Sequence, residues 1–138
     1  MNPAFVADAS VGFAWVYHGQ ATPETHRLLE MIKSGTRVIV PAFWFLEISN
    51  ILLVAQRRNR ISVAQRNEAL EKLAGMQFTV DEDASRRAFN QISDLAEKHN
   101  LSVYDAVYLD LALRYSVPLA SRDGSLNTAA GKCGIKSL

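Results

Sequence analysis

The chain has 138 residues, of which 49% are hydrophobic and 21% are charged, and its formal net charge is +1. These values exclude disordered and fibrous classes and predict one folded domain over residues 1–138. Apolar runs such as Ile51 to Ala55 are too short to span a bilayer, and no secretory signal pattern opens the chain, so we expect a cytoplasmic protein. The single cysteine, Cys133, permits no internal disulfide and predicts a reduced thiol.

Strand and helix patterns alternate from one end of the chain to the other. This order predicts an α/β architecture, a parallel sheet with helices on both faces. The predicted strands cover 4–7, 37–40, 76–80 and 117–120, with 135–138 as a candidate edge strand, and the predicted helices cover 9–16, 23–34, 42–59, 62–74, 81–99, 102–115 and 124–131.

Local signals set several of these boundaries. Ser10 is the predicted cap of the first helix, and Ser62 with Gln65 forms a capping box that starts the fourth. The helix that ends at His99 is expected to bury one apolar face. That face consists of Ala88, Phe89, Ile92 and Leu95.

Glu47 is the least ordinary residue in the sequence. It lies in the apolar helix 42–59, where no face is plainly polar before Gln56. A buried carboxylate is costly unless it is paired with a base or coordinates a metal ion. From this segment alone, an arginine partner and a metal ion are equally open.

Three further acids lie at the ends of predicted strands or at the start of a predicted helix. Asp8 and Asp123 follow predicted strands, and Asp105 falls in the first turn of a helix. Each has a structural explanation of its own, as a helix cap, an Asp-Gly turn or part of a capping box. Taken together with Glu47, however, they converge on one edge of a right-handed parallel α/β sheet. Such carboxylates repel one another unless a hard cation such as Mg²⁺ or Mn²⁺ neutralises them, which predicts metal-assisted phosphodiester hydrolysis.

The remaining charged residues are assigned no site role. The acids over 81–83 are interpreted as the start of a helix, and Asp110 lies off the helical face of Asp105. Arg57, Arg58 and Arg60 could contact phosphate, but a solvated helix end is the favoured interpretation of such a cluster.

Four segments of the sequence resemble the PIN-domain ribonucleases, and specifically the VapC-type toxins of VapBC toxin-antitoxin pairs. The segments are Asp8-Ala-Ser, Pro41 followed by Glu47, the stretch from Tyr104 to Ala112, and Leu119 to Asp123 followed by Leu126. The resemblance covers the whole chain. It implies a three-layer α/β/α domain with a central parallel sheet, and a Mg²⁺- or Mn²⁺-dependent endoribonuclease. The family's usual threonine is replaced by Ser121, which keeps the hydroxyl group.

The resemblance also implies the site residues and the partners. The expected catalytic residues are Asp8, Glu47, Asp105, Ser121 and Asp123. Asp8 and Asp105 are expected to contact the metal directly or through water, and Glu47 to orient the attacking water. Asp123, with Ser121, completes the site or holds a second ion. An RNA substrate, a cognate antitoxin and a homodimer follow from the same resemblance.

Other classes of protein fit the sequence less well. A haloacid-dehalogenase-type phosphatase needs a second Asp where Ser10 stands, and a receiver domain needs an N-terminal acidic pair and a late lysine. A non-catalytic PIN-like module that binds RNA or protein would be favoured by loss of a site acid, and all four acids are present.

The two helices after the first two strands carry more aromatic residues than a small core is expected to hide. These residues are Phe13, Trp15, Tyr17, Phe43, Trp44 and Phe45. Burial of Phe13 and Phe43 would be unsurprising, and any that stay exposed are expected to mark a partner-binding surface.

Overall fold

The computed structural model describes residues 3–138, and within them four parallel strands form a sheet in the order β3-β2-β1-β4. The strands are β1 (Ala4–Ala7), β2 (Arg37–Pro41), β3 (Thr79–Asp81) and β4 (Leu119–Ala120). The helices are α1 (Ala9–Val16), α2 (Pro23–Lys33), α3 (Trp44–Arg57), α4 (Val63–Ala74), α5 (Ala84–Arg87), α6 (Ser93–His99), α7 (Val103–Tyr115) and α8 (Gly124–Lys132).

The helices form two layers around the sheet. Helix α1 packs against α2, α3 and α4, whereas α7 packs across β1, β2 and β4 with α6 and α8 beside it. The central strand β1 is almost entirely buried, as its run of apolar residues requires when both faces of a parallel sheet are covered. The predicted α/β fold with a central parallel sheet is therefore confirmed.

Glycine allows α1 and α3 to approach each other closely. A Cβ atom at Gly12 would lie 2.3 Å from Cζ2 of Trp44 and 2.8 Å from Cδ1 of Ile48, so a larger residue would push the helices apart. The contact fixes the spacing of two helices whose N-terminal ends carry Asp8 and Glu47.

Several element boundaries differ from the prediction. Strand β2 includes Pro41, which pairs with Asp81 in β3, and α3 starts only at Trp44. Strand β3 starts at Thr79 instead of residue 76. The candidate edge strand over 135–138 is reduced to a single bridge between Leu119 and Ser137. Helix α3 also has a solvated face before residue 56, contrary to expectation, because its Leu46 is exposed.

The prediction of one regular helix over 81–99 is wrong. Between α5 and α6 the chain forms a π-helical segment, Ala88–Ile92, whose wider turn rotates the side chains out of the α-helical register. Phe89 is consequently fully exposed, while Ile92 is fully buried. The predicted stop is correct, since Asn100 ends α6 in the left-handed conformation, with φ of 53°.

None of the helices over residues 3–138 combines the length and the apolar character needed to cross a membrane.

Candidate active site

Asp8 leaves the carboxyl end of β1 and is almost completely buried, with 6% of its surface exposed. Its Oδ1 accepts hydrogen bonds from the Ser10 hydroxyl at 2.6 Å and from the backbone N–H of Val11 at 3.2 Å. Its Oδ2 accepts the hydroxyl proton of Ser121. Asp8 is therefore the cap of α1, which confirms its structural explanation, whereas the prediction of Ser10 as the cap is wrong. Burial raises the pKa of Asp8, although its hydrogen bonds partly counteract that effect.

Glu47 lies in the first turn of α3 and is half-buried. Its carboxylate accepts a hydrogen bond from the hydroxyl group of Tyr108 on α7, so its partner is a tyrosine and not the arginine that the sequence left open. Burial raises the pKa of Glu47, and the negative charges of Asp8 and Asp105 raise it further. The Tyr108 phenol also has a raised pKa, first because of its own burial and then because it donates to Glu47.

Asp105 lies in the first turn of α7, where its backbone N–H donates to the capping hydroxyl of Ser102 at 3.0 Å. That hydrogen bond confirms Ser102 as the helix cap, and the Ser102 side chain also interacts with the Asp105 carboxylate, which partly counteracts the rise of its pKa. The carboxylate is half-buried. Burial raises the pKa of Asp105, and the charges of Asp123 and Asp8 add to the shift.

Asp123 follows β4 and caps α8, because its Oδ1 accepts the backbone N–H of Leu126 at 2.9 Å. Ser121 connects it to Asp8. The Ser121 hydroxyl accepts the Asp123 backbone N–H at 2.9 Å and donates its proton to Asp8. The hydroxyl group retained at position 121 thus fixes one site acid relative to another.

The structure brings the four acids to one edge of the sheet. The negative charges of Asp8 and Asp105 act on Glu47, and the charge of Asp123 acts on Asp105. Within residues 3–138, no lysine, arginine or histidine forms an ion pair with any of the four. As the side chains stand in this part of the chain, no three acids, histidines or cysteines are close enough to enclose a metal ion. Carboxylate oxygens without a basic partner nevertheless fit a hard divalent cation by their chemistry.

A second group of acids near the sheet is fully paired with arginine. Asp81 ends β3, so its predicted place at a helix start is wrong, and Arg114 binds it through two hydrogen bonds of 2.8 and 3.0 Å. Asp110 accepts two hydrogen bonds from Arg87, at 2.7 and 2.9 Å, and one from Arg114 at 3.0 Å. These contacts form an ion-pair network, and neither acid joins the four-acid site.

Three contacts were not expected from the sequence, two of them involving residues at or beside the site acids. One is the hydrogen bond from Tyr108 to Glu47. The second is made by Arg122, whose Nη1 donates to the backbone and side-chain oxygens of Gln20 at 2.7 and 2.8 Å. The third lies at the far end of α8, where Sγ of Cys133 is 3.4 Å from Nε2 of His99. The order of aromatic and basic residues in the chain gives no signal for any of these pairings, since each joins distant segments.

Carboxylates at the carboxyl edge of a parallel α/β sheet are typical of proteins that carry out metal-assisted chemistry there. The family model of the PIN domain matches residues 5–132 of the chain. The chain therefore belongs to the PIN-domain family, as its sequence resemblance predicted. No curated protein sequence matches it.

Solved structures share the fold over nearly the whole chain. PAE2754 from Pyrobaculum aerophilum has a TM-score of 0.72 at 22% identity, covering 99% of this chain and 90% of that chain. The structure of VapBC2 from Rickettsia felis, bound to a DNA fragment from its promoter, has a TM-score of 0.66 at 8% identity. The match covers 98% of this chain and 97% of that chain. FitAcB from Neisseria gonorrhoeae has a TM-score of 0.63 at 18% identity, and the match covers 97% of this chain and 96% of that chain. At these identities the likeness shows the fold.

Proposed function

We propose that this protein is a Mg²⁺- or Mn²⁺-dependent endoribonuclease and the toxin of a type II toxin-antitoxin pair. One observation carries the proposal: Asp8, Glu47, Asp105 and Asp123 lie at one sheet edge with mutually repelling charges and without a basic partner in residues 3–138. Membership of the PIN-domain family and the similarity to VapBC2 and FitAcB support it. The site of action is the cytoplasm, where cellular RNA is available.

The site residues divide into ligands and a base. Asp8, Asp105 and Asp123 would hold the cation, which when bound would polarise a phosphoryl oxygen and lower the pKa of water. Glu47 would orient the attacking water and accept its proton. The hydrogen bond from Tyr108 keeps its carboxylate in place for this role. Ser121 would fix Asp8 relative to Asp123.

Water is the proposed nucleophile. Within the described residues, the contact between Cys133 and His99 is the one arrangement in which a base could activate a thiol as an alternative nucleophile. Helix α8 separates Cys133 from Asp123, and its nine residues correspond to roughly 13 Å. No covalent enzyme intermediate is therefore expected.

The test is cleavage of a labelled RNA by the purified protein with and without metal. EDTA should abolish cleavage, and Mg²⁺ or Mn²⁺ should restore it. Asp105→Asn should remove cleavage, whereas Asp94→Asn, which makes the same change of charge at an exposed position of α6, should not. Undiminished cleavage in EDTA, by a preparation in which Asp105→Asn is equally active, would contradict the proposal.

The proposed antitoxin contact is an apolar groove of about 440 Å³ between α1, α2 and α4. Its apolar lining includes Trp15, Tyr17, Leu29, Leu52, Ile61 and Ala69. The expected excess of exposed aromatic residues is only partly present, because Trp15 and Trp44 are buried while Phe45 is 39% exposed. A disordered antitoxin segment would become ordered in this groove and extend along α1, so that a basic side chain reaches the acids at the opposite end of that helix.

Co-expression with the product of the adjacent upstream gene tests this partner. The two proteins should co-purify, and RNA cleavage should fall when the product is added. Leu29→Glu places a charge in the groove and should weaken the complex, whereas Phe89→Glu changes a fully exposed residue outside it and should not. Failure to co-purify, together with unchanged cleavage, would remove the antitoxin proposal and leave the nuclease proposal standing. The homodimer implied by the family resemblance stays a prediction, which the molar mass in solution would test.

A further inference from the structure

Arg122 lies between two residues of the acidic site, Ser121 and Asp123. Its backbone N–H donates to the Ser10 hydroxyl at 3.2 Å, and Ser10 in turn donates to Asp8. The backbone of Arg122 is thus part of the hydrogen-bond network around the site acids. Its side chain is exposed to solvent.

The guanidinium group of Arg122 is held by neutral acceptors. Nη1 donates to the backbone oxygen of Gln20 at 2.7 Å and to its side-chain Oε1 at 2.8 Å. Over residues 3–138, Arg122 forms no ion pair with a carboxylate, although it is a sequence neighbour of Asp123. Gln20 fixes the direction of the guanidinium without neutralising it. Nε and Nη2 make no hydrogen bond to the part of the protein that the structure describes.

This arrangement differs from that of the arginines in the ion-pair network. Arg87 uses two of its nitrogens on Asp110, and Arg114 uses all three of its nitrogens on Asp81 and Asp110. The charges of both arginines are therefore neutralised by carboxylates of the protein itself. The guanidinium of Arg122 is instead fixed by Gln20 without an acidic partner in residues 3–138, on a residue that lies between Ser121 and Asp123 in the chain.

We propose that Arg122 binds a phosphate of the RNA strand adjacent to the phosphate that is cut, and that Gln20 holds its guanidinium in position for this contact. The inference rests on the proposed nuclease function. An RNA strand that approaches four carboxylates is repelled by them, and a cation at the rim offsets that repulsion. Guanidinium groups bind phosphate oxygens in a directed way that suits this role, and such contacts position a strand without reading its sequence.

RNA binding in EDTA separates this contact from cleavage. The probe is a short fluorescein-labelled single-stranded RNA of mixed sequence, titrated at several salt concentrations. Arg122→Ala should weaken binding about tenfold, the equivalent of one hydrogen bond to a charged group. It should also lower the slope of log affinity against log salt by about 0.7, the value for one phosphate contact on a single strand. Gln20→Ala should weaken binding by a smaller factor and leave the slope almost unchanged.

Arg57→Ala is the matched control. It removes the same charge from an exposed position at the far end of α3, about 15 Å along the helix from Glu47. It should change the affinity for RNA by less than about twofold, since a distant exposed charge is largely screened.

Cleavage kinetics distinguish failure of this inference from failure of the nuclease proposal. Arg122→Ala should raise KM by about the factor lost in binding and change kcat less. If Arg122→Ala binds RNA with the affinity and salt slope of the unchanged protein, the phosphate contact is wrong, even if metal-dependent cleavage persists. If the protein binds RNA through Arg122 but never cuts it, the nuclease proposal fails and the contact stands.

Discussion

Two groups of acids lie around the sheet, and they differ in what neutralises them. Asp81 and Asp110 are buried and bound by Arg87 and Arg114. Asp8, Glu47, Asp105 and Asp123 have no basic partner in residues 3–138. The pKa of Asp81 is lowered by its hydrogen bonds with Arg114, whereas burial and neighbouring acids raise the pKa of Asp105. The ion pairs of Asp81 and Asp110 stabilise the fold. The four unpaired carboxylates repel one another, and a bound cation would weaken that repulsion.

Helix α7 contributes to both groups. Asp105 in its first turn points toward the site acids, and Asp110 joins the arginine network. Five residues correspond to about 140° around a helix axis, so the two carboxylates leave on different sides. The network therefore anchors the same helix that presents Asp105 and Tyr108 to the site. One helix therefore belongs to both the paired and the unpaired group of acids.

The largest expected effect comes from neutralising an unpaired acid. Asp105→Asn should lower metal-dependent RNA cleavage about a thousandfold, because the reaction loses a charge that acts on it directly. In EDTA the same change should leave the free energy of unfolding unchanged or raise it, since it removes repulsion and burial of a charge. Cleavage assays and urea denaturation measure the two quantities. If Asp105→Asn lost stability and kept cleavage, Asp105 would stabilise the fold, as the paired acids do, and would have no role in cleavage.

The opposite pattern is expected for the paired group. Arg114→Ala leaves Asp81 buried without its main partner and should lower the free energy of unfolding by about 3 kcal/mol. Cleavage per folded molecule should fall far less than in Asp105→Asn, because Arg87 still binds Asp110 and holds α7 in place. Arg86→Ala removes a solvent-exposed pair with Asp83 and should change stability by less than about 1 kcal/mol. Equal losses from both substitutions would show that the network contributes no more than a surface ion pair.

Local signals and long-range contacts differ in how well the sequence predicts them. The capping boxes at Thr22 and Ser62 and the stop at Asn100 depend on nearby residues, and the helix ends lie where those residues predict. The strand ends that carry Asp8 and Asp123 were predicted because apolar runs stop there. The convergence of the four acids followed from the handedness of parallel α/β units.

The contacts that complete the site join distant parts of the chain. Tyr108 and Glu47 are 61 positions apart, and Arg122 and Gln20 are 102 positions apart. No local pattern encodes which tyrosine or glutamine will be the partner. The exposure of Phe89 was missed for a different reason, because the π-helical segment breaks the period that assigns faces to a helix.

A smaller effect should come from the hydroxyl group that links two site acids. Ser121→Ala removes the donor to Asp8 and the acceptor for the Asp123 backbone N–H, so it should lower cleavage about tenfold by leaving Asp8 less well oriented. Ser121→Thr keeps the hydroxyl and should restore most of the activity. The comparison requires initial rates at several metal concentrations. Equal activity of the alanine and threonine variants would mean that the link does not position Asp8.

The smallest expected effect is the pH dependence of the stability that Asp81, an acid of the paired group, contributes. Arg114 lowers the pKa of Asp81 below its ordinary value of 3.8, so the unfolded chain takes up the proton first as the pH falls. The stabilisation is therefore complete above about pH 3.8 and is lost as the pH falls through the lower pKa of the folded state. The difference in unfolding free energy between the unchanged protein and Asp81→Asn should stay constant from about pH 7 to 5 and narrow below about pH 4.

The site acids do not obscure this measurement. Their raised pKa values give a slope of opposite sign, in which stability falls as the pH rises, but both proteins share that slope and it cancels in the difference. Asp94→Asn, which makes the same change of charge at an exposed position, supplies the baseline. A gap between the unchanged protein and Asp81→Asn that persisted unaltered into strong acid would mean that Asp81 stabilises the fold by packing and backbone contacts instead of by its charge.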